Sequence, residues 1–124
     1  MIHEMKDHIE LGKTGEDLAV KHLESNDYQI LERNWHWGKQ EIDIIARQGN
    51  FIVIVEVKTR QSNFFAEPET SVTKSKQRIL IGAANAYVRY KRLQGEVRFD
   101  IIALLIQPNG VHLNHIVDAF YATL

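Results

Sequence analysis

The sequence predicts an α/β domain in the order helix, three strands, helix, strand, strand, built on one mixed sheet with helices on both faces. Three observations predict it. The run Phe51 to Val55, continued by Val57, is apolar without alternation, as a central strand covered on both faces requires. The stretches on either side of Gln48-Gly49-Asn50 read as strands joined by a short hairpin turn, which makes them antiparallel neighbours. A helical stretch then separates two strongly apolar strands, and such a crossover is right-handed and leaves its strands parallel.

Each element has its own signal. Thr14-Gly15-Glu16-Asp17 sets a hydroxyl three residues ahead of an acid, and Leu18, Ala19, His22 and Leu23 recur at helical spacing. A first helix is therefore expected over residues 9 to 26, or from Thr14 onward. Strands are expected over Tyr28 to Trp37, Glu41 to Arg47 after the turn Gly38-Lys39, and Phe51 to Lys58. Thr59 to Thr73 is polar and turn-rich, contains Pro68 and the isolated pair Phe64-Phe65, and reads as a loop of the length that is usually functional or mobile. Thr73 should cap a second helix with Ile79, Ala83, Ala86, Tyr87 and Tyr90 along its buried side, ending near Gln94-Gly95. Val97 to Ile106 is a further apolar strand, and Pro108-Asn109-Gly110 turns the chain into a last strand reaching Asp118.

A length of 124 residues fits a single domain over the whole chain. The absence of cysteine excludes a disulfide framework and thiolate-bound zinc or iron–sulfur clusters. No apolar segment approaches the roughly 18 residues of a membrane helix, so a cytoplasmic protein with no membrane partner is expected. The net charge of -1 conceals an asymmetry. Residues 1–32 hold eight acids against three bases, whereas residues 74–98 hold seven bases against Glu96 alone. A local basic surface binds a polyanion even at near-zero net charge, because ordinary salt screens exposed charges more than about 10 Å apart. The same pattern also describes a solvated helix face.

The chemistry gathers at Glu41-Ile42-Asp43 and Glu56-Val57-Lys58. Residues two apart on a strand share a face, so Glu56 projects with Lys58 and Glu41 with Asp43. Hard divalent cations take carboxylate oxygens and keep positions for water and phosphate. Asp43 and Glu56 supply such a pair, and Lys58 is placed to orient the attacking water or offset phosphate charge. Taken alone, Glu56 and Lys58 also match an ordinary solvent-exposed ion pair. Lys74, Lys76 and Arg78 lie near the start of the second helix, where peptide dipoles add to their positive field, and are expected to contact a nucleic-acid backbone. Gln77 in the same turn, and Glu41, are accessory candidates.

Several other features read as decoys. Gly12-Lys13-Thr14 imitates the end of a phosphate-binding loop, but that motif needs a glycine five positions earlier, where Asp7 stands. His112 and His115 are three apart on a strand and so face opposite sides, and read as solvent-facing histidines. Trp35, His36 and Trp37 offer base stacking, although strand tryptophans more commonly pack.

The chain resembles the YraN-like family of small bacterial proteins, whose domain is similar to archaeal Holliday-junction resolvases and the wider PD-(D/E)xK nuclease superfamily. Four stretches carry the resemblance: Gly12-Lys13-Thr14-Gly15-Glu16 with Ala19, Arg33-Asn34-Trp35, Glu41-Ile42-Asp43-Ile44-Ile45-Ala46, and Val55-Glu56-Val57-Lys58-Thr59-Arg60. Lys76 and Arg98-Phe99-Asp100 also fit, so the match spans residues 8–118. The resemblance implies a restriction-endonuclease-like αβββαβ core with an added C-terminal strand. It further implies a nuclease dependent on magnesium or manganese, with Asp43 and Glu56 as metal carboxylates, Lys58 as the superfamily lysine and Glu16 as a helix-borne acid. Arg60 adjoins this motif as a further backbone contact. Ile42 stands where the superfamily's proline precedes the first acid. DNA, branched forms included, is the substrate implied, and a resolvase-like role implies a homodimer. Two rivals use the same residues: a nucleic-acid-binding adaptor without catalysis, and a protein-interaction module.

Overall fold

The structure, a computed structural model, describes residues 2–61 and 71–121, with side chains from residue 12 onward. The elements are α1 (Ile2–Ser25), β1 (Gln29–Trp37), β2 (Gln40–Gln48), β3 (Phe51–Gln61), α2 (Lys74–Lys91), β4 (Glu96–Gln107) and β5 (Gly110–Phe120). They form one five-stranded sheet in the order β1-β2-β3-β4-β5. The β1–β2, β2–β3 and β4–β5 pairs are antiparallel, and β3–β4 is parallel. This is the mixed α/β architecture expected, with β3 at the centre.

The unalternating apolar run of β3 is explained by two cores. On the α2 side, Ile52 and Ile54 pack with Ile42, Ile45, Leu80, Ala83, Tyr87, Phe99 and Ile101. On the α1 side, Val53 and Val55 pack with Ala19, Leu23, Ile44, Ala46, Ile102 and Leu104. Each alternate side chain of β3 thus meets a different layer. Among the described residues, no helix is long and apolar enough to cross a membrane.

Four expectations need correcting. α1 starts at Ile2 rather than at 9 or Thr14, because Gly12 in mid-helix costs only about 1 kcal/mol and does not stop the helix. The buried stripe of α2 is Leu80, Ala83, Ala84 and Tyr87, a strict i, i+3, i+4, i+7 set, while Tyr90 lies off it at 75% exposure. Thr73 does cap α2, its side chain accepting from the Lys76 N–H. His115 is not solvent-facing: its Nε2 lies 2.8 Å from Asp100 Oδ2 and its Nδ1 2.9 Å from His22 Nε2. Finally, Arg98 does not belong to the basic surface, being buried and paired with Asp100. Phe64-Phe65 and Pro68 lie outside the described residues.

Candidate functional site

The site forms where β2 and β3 separate. Their ladder runs from Gln48↔Phe51 to Ile44↔Val55 and stops. Beyond it, Asp43 Oδ2 accepts from the Val57 backbone N–H at 2.8 Å, so a side chain replaces the missing rung. β2 breaks its alternation at the same residue, since Ile42 packs in the α2-side core and Ile44 in the α1-side core. Residues two apart on a regular strand would share a face.

Gly15 brings α1 to this split. A Cβ built there would overlap the Thr59 side chain of β3, so glycine is what permits the close approach. Glu16, the next residue, is thereby carried to the sheet. Glu16, Glu41 and Asp43 each bring a carboxylate oxygen within 4.8 Å of the others. Oxygen donors of this kind suit a hard cation, so among the described residues these three, with Glu56 adjoining, form the donor set suited to one.

Like charges crowded together and partly withdrawn from water resist ionisation. Burial, reinforced by the charge of Glu56, raises the Asp43 carboxyl to about 7 against the opposing Val57 hydrogen bond. Glu56 is also raised, chiefly by burial, although Lys76 and Lys58 pull it down. Its Oε2 is buried with no hydrogen-bond partner among the described residues. Glu16 is raised by burial, with Asn34 and Arg33 opposing.

The structure therefore brings together Glu16, Glu41, Asp43, Glu56 and Lys58, and adds Lys76, whose charge, like that of Lys58, opposes the rise of Glu56. Glu41, an accessory candidate from sequence, converges with Glu16 and Asp43, whereas Glu56 stands beside that trio. Lys74 and Arg78 are exposed at the start of α2, and Arg60 is exposed near the end of β3. Gln77 donates its side-chain amide to the Val72 carbonyl at 2.9 Å. Trp35 packs edge-on against Tyr87, which accounts for it as a core residue.

Sequence reasoning missed the polar residues of β1 that border the acids. Arg33 Nη2 lies 2.7 Å from Asp17 Oδ1 and 4.0 Å from Glu16 Oε2. His36 Nε2 lies 3.5 Å from Glu41 Oε2. The Asn34 amide, with its nitrogen turned toward the surrounding acceptors, donates to Glu41 and, at 3.2 Å, to Glu16. An asparagine inside a strand-like run was the available signal, since asparagine tolerates backbone angles that strands exclude.

Residues 15–104 match the model of a family described as "Uncharacterised protein family UPF0102". The chain belongs to the UPF0102 family. A UPF0102 protein of Flavobacterium johnsoniae is 47% identical over 121 residues, covering 94% of this chain and 98% of that one. One from Bacteroides thetaiotaomicron is 44% identical over 120 residues, covering 97% and 99%. The UPF0102 family is the YraN-like family that the sequence resembles. Its matched region contains Glu16, Asn34, Glu41, Asp43, Glu56, Lys58 and Lys76, so the whole carboxylate site lies inside the family's domain.

Proposed function

We propose that this protein hydrolyses nucleic-acid phosphodiesters with a divalent cation, magnesium or manganese, held at the split between β2 and β3. The observation that carries the reading is the convergence of Glu16, Glu41 and Asp43 within 4.8 Å beside a buried Glu56 oxygen that has no hydrogen-bond partner among the described residues. Acids arranged in this way repel one another unless a cation or protons intervene, and the donor set is the oxygen-only set a hard cation prefers.

A cation bound there supplies Lewis-acid polarisation of the phosphate and a more acidic water. The protein's own groups do the rest. Asp43 and Glu56 provide negative charge at the split, and the Val57 N–H fixes the Asp43 carboxylate in place. Lys58, half-buried beside Glu56, orients the attacking water and offsets the charge developing on phosphate. Glu16 assists from α1. Lys74, Lys76 and Arg78 at the start of α2, with Arg60, hold the backbone by charge without reading sequence. DNA is the substrate favoured, with branched forms included by analogy with the resolvases. Symmetric cutting of two strands takes two copies, so a homodimer is part of this reading.

Cleavage of linear, single-stranded and four-way-junction DNA with manganese tests it. Wild type should cut at least one of these, and Asp43→Ala and Lys58→Ala should each lose about a hundredfold or more in rate. Binding that survives Asp43→Ala and Glu56→Ala without any cutting by wild type would instead make this an adaptor of the same fold. If neither cutting nor salt-sensitive binding is seen, the protein-interaction reading takes its place.

A further inference from the structure

Asn34 has a backbone φ of 51°, in the left-handed region that non-glycine residues rarely occupy. The β1–β2 ladder pairs Arg33 with Ile44 and Trp35 with Ile42, leaving the Asn34–Asp43 rung between them unmade. Two consequences follow from that break. Successive side chains of a regular strand point to opposite faces, yet here Arg33 and Asn34 both reach acids of α1: Arg33 meets Asp17 at 2.7 Å and Asn34 meets Glu16 at 3.2 Å. The distortion also stands directly opposite Asp43, where β2 loses its own alternation.

We propose that Asn34 is a positioning residue of the carboxylate site, its side-chain amide clasping Glu16 of α1 to Glu41 of β2 in the arrangement a cation needs. The chemistry of the residue fits the task. A carboxamide nitrogen carries two N–H donors, and it faces carboxylates from two different elements. Both acids belong to the converging trio, so one side chain sets the separation of two of its three members. Asparagine also adopts the left-handed conformation more readily than most residues. The Glu16 carboxylate is held down by this bond in part, against the burial that raises it. Groups that orient metal ligands in this way are commonly worth ten- to a hundredfold in metal affinity.

The inference rests on the cation reading above, and a cycle of variants separates the two. Asn34→Gly preserves access to the left-handed backbone and deletes the side chain that carries the amide. Manganese binding to wild type, Asn34→Gly, Glu41→Gln and the double variant is measured by calorimetry, alongside metal-free thermal unfolding. The expected result is an affinity about tenfold weaker in Asn34→Gly, a melting midpoint within a few degrees of wild type, and little further loss when Asn34→Gly is added to Glu41→Gln. Wild-type affinity in Asn34→Gly, or the same tenfold loss on the Glu41→Gln background, would overturn the positioning role and leave the cation site standing. A large fall in the metal-free midpoint would overturn it too, because Asn34 would then be structural. No manganese binding by wild type would sink the cation reading and the positioning role together.

Discussion

Two of the sheet's aspartates, Asp100 and Asp43, have opposite surroundings. Asp100 on β4 is 1% exposed, and donors enclose it. Arg98 Nε and Nη2 donate at 2.9 and 3.0 Å, the Asp118 N–H donates at 3.0 Å, and His115 Nε2 lies at 2.8 Å. Burial alone would raise its pKa, but these donors more than reverse that and hold it below the ordinary value. Among the described residues, Asp43 on β2 accepts one hydrogen bond, from the Val57 N–H, and is surrounded by Glu16, Glu41 and Glu56, with Lys76 as the opposing cation. The first charge is compensated within the fold. The second is compensated incompletely, so it costs stability in the metal-free protein at neutral pH.

The largest effect should come from breaking the compensated region. Asp100→Ala leaves Arg98 buried without its partner, and removing one member of a buried pair costs about 3–5 kcal/mol. That is a large share of the roughly 5–15 kcal/mol of a small domain. Urea unfolding checks it, and a loss below about 1 kcal/mol would mean that Asp100 is not the anchor its contacts imply. The pH dependence has a defined sign. A depressed acid stabilises above its unfolded value of 3.8 and loses that contribution as pH falls through its folded value, so the Asp100 region weakens on acidification.

Asp43 should show the reverse slope. Its pKa rises from 3.8 to about 7 on folding, so its contribution is fully present below 3.8 and is lost as pH climbs through about 7. A shift of that size is worth at most about 4 kcal/mol at roughly 1.4 kcal/mol per pH unit, and coupling to Glu56 spreads it over both acids. Asp43→Asn keeps an oxygen for the Val57 N–H and removes the titration. Metal-free Asp43→Asn should match wild type near pH 4 and exceed it by about 2 kcal/mol near pH 8. Manganese should flatten the wild-type slope through mass action on the folded state. Parallel pH profiles for variant and wild type would show that the two aspartates do not differ as their surroundings indicate.

The sequence made the two regions legible to different depths. The unalternating run of β3 announced a central strand, and the turns on either side of β2 announced the meander, so the frame that carries Asp43, Glu56 and Lys58 was readable. Pattern could not show which acids converge, because that depends on a strand split and on a left-handed Asn34, both of which break the period-two rule. Arg98 looked like surface charge because it falls among the seven bases of residues 74–98. Tyr28 and Gln48, from distant parts of the chain, cover it, their oxygens accepting from its guanidinium at 2.7 and 2.9 Å. His115 was misplaced for the same reason, as Asp100 and His22 reach it only through tertiary packing.

The smallest expected effect separates cations that serve the fold from cations that face outward. Arg98 is committed to Asp100, and Lys76 acts on Asp43 and Glu56, but Lys74 and Arg78 are exposed at the start of α2. Replacing both with alanine should leave stability within about 0.5 kcal/mol, as is usual for exposed side chains. Their contribution should appear instead in binding to a four-way-junction DNA, where each phosphate contact adds about 0.9 to the slope of log affinity against log salt. The double variant should therefore lose nearly two units of slope. Arg89→Ala with Arg92→Ala, at the far end of the same helix, removes the same charge and should change the slope by much less, so the pair of measurements distinguishes a phosphate-binding helix start from general attraction to a basic face. Equal losses from the two ends would leave the net charge of α2, and not its geometry beside the split, as the source of affinity.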